Sequence, residues 1–269
     1  MNSEITNERK KFLKDKKIYK FKVVFTQIFI VLFFIVLWEV LARLQVINPF
    51  ITSMPSRILE TLCDFASNNL LLHIGVTCFE TIIGFLLGTL IGTFIATLLW
   101  WSKFASCVSE PFLIILHALP KVALGPIIIV WAGAGTSAII VMALAISIIV
   151  TILEMLNGFN NTDKNLIKMA QTFGASKRQI FSKIIFPSNI KTLISAMKVN
   201  IGLSLVGVIS GEFLVSKAGL GYLIVYGGQV FKLDLVMTSV IILGFAAAIL
   251  YYSVELLEKL INKFILHSN

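Results

Sequence analysis

Charged residues are scarce in this sequence. Only 14% of its 269 residues are Asp, Glu, Lys or Arg, whereas 57% are hydrophobic, and the mean hydropathy is +0.91. A soluble domain of this length needs far more polar surface to cover its core. The composition therefore excludes a soluble globular protein and indicates a chain whose solvent is the lipid bilayer, where each helical span takes about 20 apolar residues.

The sequence also has few residues that carry chemistry. Its three histidines are far apart and form no Glu-x-x-His arrangement, and Cys63, Cys78 and Cys107 show no metal-ligand spacing. No Gly-rich loop ends in Gly-Lys-Ser or Gly-Lys-Thr, the usual loop that binds the phosphates of ATP. A membrane-bound enzyme would need titratable groups clustered at one depth, and here they are scattered. We therefore expect no catalytic residue, no cofactor and no metal in this chain.

Six apolar stretches are long enough to cross a bilayer as helices. No small-residue cleavage pattern follows the first stretch before Pro49, so we interpret it as a retained span and not as a secretion signal. The predicted fold class is an all-α integral membrane protein with six transmembrane helices. The stretches lie at about 23–42, 74–101, 106–132, 137–157, 190–213 and 234–257.

Three prolines, Pro111, Pro120 and Pro126, interrupt the third span. Such a span needs neighbouring helices or cavity water to satisfy the freed carbonyl groups, so we expect it to be kinked and buried in protein. Lys121 lies inside this span, where an isolated charge costs about 2.5–3.5 kcal/mol on insertion scales. Two interpretations stay open: the lysine lines a translocation pathway, or its stem covers apolar surface while its head reaches water.

Basic residues are concentrated on one side of the predicted membrane. Eight lie in 1–22 and a further group lies in 158–189, whereas the other side carries only Arg43, Arg57, Lys217 and Lys232. By the positive-inside rule, both termini are cytoplasmic and 158–189 faces the cytosol. This topology explains the net charge of +9 without nucleic acid. The predicted segments are a basic tail at 1–22, a first helix at 23–42, an outer connection at 43–73, a five-helix core at 74–258 and a cytoplasmic tail at 259–269.

The stretch at 158–189 has the pattern of a helix, a break and a second helix. Asp163 is a candidate N-cap, Gly174 ends the first helix and Pro187 ends the second. This hairpin either packs against its own spans or fills the groove of a partner, and the periodicity alone favours the first. The first helix carries one apolar stripe, formed by Leu166, Met169, Ala170 and Phe173.

The spacing within this loop resembles that of the permeases of binding-protein-dependent ABC importers. Their cytosolic loop carries Glu-Ala-Ala, three residues, Gly, nine residues, and then Ile-x-Leu-Pro. Lys168 stands here in place of the usual Glu, Met169 in place of Ala and Phe186 in place of Leu, so the ion pair of the usual Glu is lost or inverted. The spacing fits without a gap at Lys168, Met169, Ala170, Gly174, Ile184, Ile185, Phe186 and Pro187.

The resemblance implies the type I ABC importer permease fold, in which this loop forms the coupling helix that sits in a groove of a separate ATPase subunit. It implies two ATPase subunits that bind the ATP, an extracytoplasmic substrate-binding protein and a homodimer of this permease in the bacterial cytoplasmic membrane. The residues assigned to coupling are Leu166, Lys168, Met169, Ala170, Phe173, Gly174, Ala175, Ile184, Phe186 and Pro187.

Two further segments resemble the nitrate, sulfonate and taurine branch of this family. Residues 119–133 look like its third-span signature, and Glu212 with 219–223 looks like the outer end of span five and the turn that follows. We expect Glu212 to shape an outer gate, and Glu39 and Glu80, near span ends, to be solvated by water or headgroups. The residues assigned to the pathway or gate are Pro120, Lys121, Glu212, Gly219 and Gly221.

Glycines repeat every four residues in span two, at Gly84, Gly88 and Gly92. Such a row lets a second helix approach closely, so we assign these glycines to packing against a helix of the same subunit. Gly207 and Gly211 suggest another close contact in span five.

The sequence leaves the substrate open. The branch carries sulfonates, taurine and nitrate, and Lys121 mildly favours such an anion; the alternative is a vitamin-precursor heterocycle. A secondary transporter would show two repeated halves with interrupted spans in corresponding places, which this chain lacks. A purely structural membrane subunit would have no reason to carry a loop with coupling spacing.

Overall fold

The computed structural model describes residues 2–63 and 69–267, with side chains at 9–63 and 69–261. Almost all of these residues are helical, and none of those described lies in a strand. The chain divides into two compact units, Met1–Asp64 and Phe65–Asn269.

The first unit contains α1 (Asn2–Arg43), α2 (Pro49–Thr52) and α3 (Pro55–Cys63). Helix α1 runs without interruption through the basic residues that were predicted to form a separate tail, because no proline or glycine occurs before its end. Glu39 accepts hydrogen bonds from Arg43 Nε at 2.7 Å and from the Ser56 backbone N–H at 3.1 Å. Glu39 therefore joins α1 to α3. The expectation that it is only solvated by water or headgroups is wrong.

The second unit contains ten α-helices within the described residues. Helix α13 continues through the predicted C-terminal tail as far as His267. The helices are α4 (Leu70–Trp101), α5 (Lys103–Ala118), α6 (Gly125–Ala132), α7 (Thr136–Asn160), α8 (Lys164–Thr172), α9 (Lys177–Ile180), α10 (Phe186–Ser188), α11 (Ile190–Val215), α12 (Leu220–Gln229) and α13 (Leu233–His267).

Five helices in the described chain are long and apolar enough to cross a membrane: α1, α4, α7, α11 and α13. The predicted third span is broken, not only kinked, and most of its first segment, α5, is exposed in this single chain and not buried as predicted. It is broken into α5 and a second segment that begins at Lys121, and the two are bent by 85°. Leu119 takes an extended ψ of 137° because a residue before proline disfavours the helical conformation. Counting this bent pair as one span gives the predicted six.

Small residues hold α4, α7 and α11 in close contact. A Cβ placed on Gly84 would lie 2.6 Å from Ala143 Cβ, and one on Gly92 would lie 2.6 Å from Thr151 Cβ. From α11, a Cβ on Gly207 would lie 2.5 Å from Ala143 Cα, so Gly84 and Gly207 contact the same residue of α7. Gly88 likewise faces Ser147. The glycine row of span two therefore faces a helix of the same chain.

Pro187 does not end the second helix of the loop. The backbone widens to a π-helical turn at Phe181–Ile185 and continues as α10. A proline has no N–H to donate to the carbonyl four residues earlier. In the turn before Pro187 the hydrogen bonding is already shifted, because the Phe186 N–H bonds to the carbonyl of Phe181, five residues earlier. The chain turns at Asn189 and then enters α11.

Candidate functional site

Helix α8 is a short, well-capped helix between α7 and α11. Asp163 Oδ1 accepts a hydrogen bond from the Asn165 N–H at 2.8 Å at its start. At its end Gly174 has a φ of +74°, which glycine adopts without strain. The N–H groups of Gly174 and Ala175 bond to the carbonyls of Gln171 and Ala170 at 2.9 and 3.0 Å. Two carbonyl groups of the last turn that have no partner within the helix are thus satisfied.

The predicted apolar stripe of α8 is divided between two surfaces. Ala170 is buried and packs, with Ile167, in a cluster that includes Phe159 of α7 and Ile180 of α9. Leu166, Met169 and Phe173 remain exposed, at 42%, 52% and 85%. The loop therefore packs against its own spans on one face and presents an uncovered apolar surface on the other.

The second half of the loop is fixed by aromatic contacts. Phe181 lies 5.0 Å from Trp100 and 5.4 Å from Phe159, measured between ring centroids, and Phe186 lies 6.1 Å from Phe181. The remaining predicted coupling residues divide by exposure: Ala175, Ile184 and Phe186 are half-buried, whereas Lys168, Gly174 and Pro187 are exposed.

Lys121 lies at the bend of the broken span. Its Nζ donates a hydrogen bond to the carbonyl of His117 at 2.8 Å. In a continuous helix that carbonyl would accept from the backbone N–H of residue 121, so the side chain replaces the bond that the bend removes. The lysine is half-buried and Pro120 beside it is exposed. The ammonium group thus has a structural partner, and its place along a pathway stays a prediction.

At the opposite end of the bundle from α8, side chains of α4 and α11 cap the start of α12. Glu212 Oε2 accepts from the Gly221 N–H at 2.6 Å, Thr77 Oγ1 accepts from the Leu220 N–H at 2.8 Å, and His73 Nδ1 accepts from the Gly219 N–H at 2.9 Å. Thr77 Oγ1 also donates to Glu212 Oε1 at 2.6 Å. Three of the N–H groups that a helix start leaves unpaired are therefore satisfied by side chains.

This capping arrangement requires glycine at two of its positions. Gly219 has a φ of +111°, and a Cβ on it would collide with the Glu212 carboxylate. A Cβ on Gly221 would lie 2.8 Å from Glu212 Oε2. The segment predicted as a turn at 219–223 is a turn only at Gly219, because α12 begins at Leu220.

Glu80 was expected to be solvated, because it lies near the end of a span. The structure shows that it is buried. It is 1% exposed and interacts with the side chains of Thr136 and Glu212. Its Oε2 has no hydrogen-bond partner among the described residues. Position along the span misled the prediction, because the starts of α7 and α12 cover this end of α4.

Sequence reasoning missed several polar residues that join the helices. His73 and Thr77 belong to the α12 cap, and Asn200 of α11 donates to Thr151 at 2.6 Å and to Thr89 at 3.2 Å. Asn200 is fully buried among three helices. An uncharged polar residue in an apolar span is the one signal that could have identified it, because such residues need partners in the membrane.

The family follows from comparison with known proteins. Residues 88–267 match the model of the family described as "Binding-protein-dependent transport system inner membrane component". The chain belongs to this family. The permease thus carries its exposed apolar stripe in the loop that resembled the coupling segment of that family.

Three relatives extend this assignment. The permease is 29% identical to a probable ABC transporter permease protein of Haemophilus influenzae, over 82% of this chain and 90% of the relative. It is 25% identical to the formylaminopyrimidine transport permease ThiX of Halalkalibacterium halodurans, over 80% and 88%. It is 27% identical to the putative aliphatic sulfonates transport permease SsuC of Bacillus subtilis, over 85% and 83%. The resemblance to the sulfonate-type branch is confirmed.

A solved structure shares the fold. A chain of the MetNI methionine ABC transporter in an inward-facing conformation superposes with a TM-score of 0.64 at 17% identity, over 71% of this chain and 96% of that chain. The predicted all-α fold of an ABC importer permease is confirmed.

Proposed function

We propose that this chain forms the substrate pathway of an ATP-driven importer and takes its energy from a separate ATPase subunit that docks on α8. The observation that carries the proposal is the uncovered apolar surface of Leu166, Met169 and Phe173 on an otherwise well-packed loop. An amphipathic helix that lays such a face into a groove is a recurring mode of recognition between proteins. In this proposal the chain itself performs no catalysis, and the partner binds the ATP.

The packing of α8 supports a mechanical role. Ala170 and Ile167 pack α8 against the end of α7, and glycines of α4 and α11 contact α7 closely. A displacement of α8 would therefore move these helices together. The movement would extend to the cap of α12 at the far end, because packed helices carry mechanical coupling between distant sites. In this mechanism ATP binding closes the ATPase subunits, and the bundle switches from inward-open to outward-open.

The proposed assembly contains two copies of this permease, two ATPase subunits and an extracytoplasmic binding protein. Both termini and α8 face the cytosol of a bacterial cytoplasmic membrane, as the distribution of basic residues indicates. Substrate passes between the two permeases, near the bend at Pro120 and Lys121 and past the cap formed by Glu212, Gly219 and Gly221.

The proposed substrate is a small anion such as an organic sulfonate, taurine or nitrate. The ammonium group of Lys121, inside a broken span, favours an anion over a cation. A heterocyclic vitamin precursor is the second candidate, because one relative is a formylaminopyrimidine permease. Identification of the ligand that co-purifies with the binding protein separates the two.

Docking of the ATPase on α8 is tested by placing a charge in the apolar surface. Phe173→Asp should weaken association with the ATPase subunit at least tenfold, since an unpaired carboxylate would be buried in an apolar groove. Phe173 is 85% exposed, so the permease itself should fold normally. Co-purification of the two subunits and substrate uptake measure the effect.

Asn165→Asp is the matched control, since it adds the same charge at an exposed position of the same helix outside the stripe. It should leave association and uptake unchanged. Normal uptake by the Phe173→Asp variant would remove α8 from the coupling mechanism.

A further inference from the structure

A cavity of about 500 Å³ lies between α8 and the junction of α4 with α5. Its walls include the aromatic rings of Trp100 and Phe159 and the side chain of Ile167. A volume of this size lies within the range of about 300–1,000 Å³ that is usual for small-molecule sites. The cavity can therefore hold a group with an apolar part.

Four lysines surround this apolar wall: Lys103, Lys164, Lys168 and Lys177. No Asp or Glu lines the cavity, and none of these lysines forms an ion pair within the described part of the chain. Lys177 is held in place, because its Nζ donates to the Trp101 carbonyl and lies 5.2 Å from the centroid of the Trp100 ring. Four uncompensated cations around a concave surface attract an anion.

The cavity lies where an apolar span ends. Helix α4 ends at Trp101, Ser102 is not helical, and α5 begins at Lys103. Tryptophan is enriched at the boundary between membrane and water, the depth at which lipid headgroups lie. An amphiphile at this depth would meet the apolar wall and the cationic rim together.

The two faces of α8 are separate. Lys164, Ile167 and Lys168 line the cavity, whereas the exposed stripe of Leu166, Met169 and Phe173 does not. A partner that contacts only the stripe would not occupy this cavity. Basic pockets between membrane helices are known to hold anionic lipid headgroups.

We propose that this cavity is a binding site for an anionic phospholipid, with the phosphate among the four lysines and the adjoining apolar part of the lipid against Trp100. The bound lipid contacts α8, the end of α4 and the start of α5, and stabilises their relative position. The proposal goes beyond the proposed function and does not depend on it, because none of the three exposed stripe residues proposed to dock the ATPase lines the cavity. Lys168 and Ala175, which the resemblance assigned to coupling, do line it.

The test measures binding of phosphatidylglycerol to the purified full-length chain by native mass spectrometry, with phosphatidylcholine as the zwitterionic comparison. The unmodified chain should retain phosphatidylglycerol and not phosphatidylcholine. The double variant Lys103→Gln with Lys168→Gln should bind it about 25-fold more weakly, at about fivefold for each lysine. Both lysines are exposed and glutamine keeps part of the stem, so folding should be preserved.

The control is Lys183→Gln with Lys191→Gln, which removes the same charge at exposed positions that do not line this cavity. It should leave lipid binding unchanged. Equal loss in both double variants, or equal retention of phosphatidylcholine, would overturn the proposal. Displacement of the lipid by inorganic phosphate at equal concentration would assign the cavity to a soluble anion, and displacement by the added ATPase subunit would assign it to the subunit interface.

Discussion

A single buried carboxylate, that of Glu212, connects three helices of the second unit. It accepts from Gly221 at the start of α12 and from Thr77 of α4, and it projects from α11. Both bonds are buried, so each donor would be left unpaired if the carboxylate were removed. This arrangement explains why Gly219 and Gly221, with no Cβ, face the carboxylate.

Glu212→Ala should destabilise the permease by about 2–6 kcal/mol, because it leaves two buried donors unpaired at about 1–3 kcal/mol each. Glu154→Ala is the control, since Glu154 is an exposed residue of a membrane-spanning helix. Thermal unfolding of the detergent-solubilised chain measures both variants. A midpoint for Glu212→Ala equal to that of the control would show that the cap contributes nothing to stability.

Helix α7 packs against two helices that carry glycine at the contact. Gly84, Gly88 and Gly92 of α4 contact it, and so do Gly207 and Gly211 of α11. The hydrophobic effect does not drive helices together in lipid, so their association depends largely on close van der Waals packing. The three-helix contact therefore depends on the absence of side chains at these positions.

Gly207→Ala should destabilise the bundle by about 1–3 kcal/mol, because the added methyl group would clash with the backbone of Ala143. A backbone cannot relieve such a clash by changing a side-chain rotamer. Gly202→Ala in the same helix is a matched control: a Cβ there meets nothing within 4 Å. It should stabilise α11 by about 0.5–1 kcal/mol through helix propensity. Unfolding midpoints in the same detergent compare the two, and equal values would argue against a tight contact at Gly207.

The sequence predicted those features of the fold that depend on residues near one another in the chain. The glycine spacing, the break at Pro120 and Gly174 act locally, so their positions follow from the pattern, whereas Pro187 does not end its helix as predicted. The α12 cap and the buried position of Glu80 depend on residues more than a hundred positions apart, such as Thr77 and Leu220. A single sequence does not show which distant residues meet, and the partners of Glu80 and Asn200 could therefore not be predicted.

The whole molecule divides its polar features between two ends of the bundle. Helix α8 and its lysines lie at the end where α7 finishes and α11 begins, and the α12 cap lies where α11 finishes. Helix α11 has 26 residues, about 39 Å at 1.5 Å per residue, which exceeds the roughly 30 Å of a hydrocarbon core. Helix α11 is therefore long enough to place its two ends on opposite sides of the membrane, and the distribution of basic residues predicts which side each end faces.

The orientation is tested by labelling single cysteines in intact cells with a reagent that does not cross membranes. In a chain whose Cys63, Cys78 and Cys107 are replaced by serine, Lys217→Cys should react from outside, whereas Lys164→Cys should react only after the membrane is permeabilised. Both positions are exposed on the protein, so a difference in reactivity reports the membrane side and not burial. Because α11 separates the two positions, reaction of both in intact cells would mean that α11 does not span. The reverse pattern would place α8 outside, where no ATP-binding partner could reach it, and would overturn the coupling role.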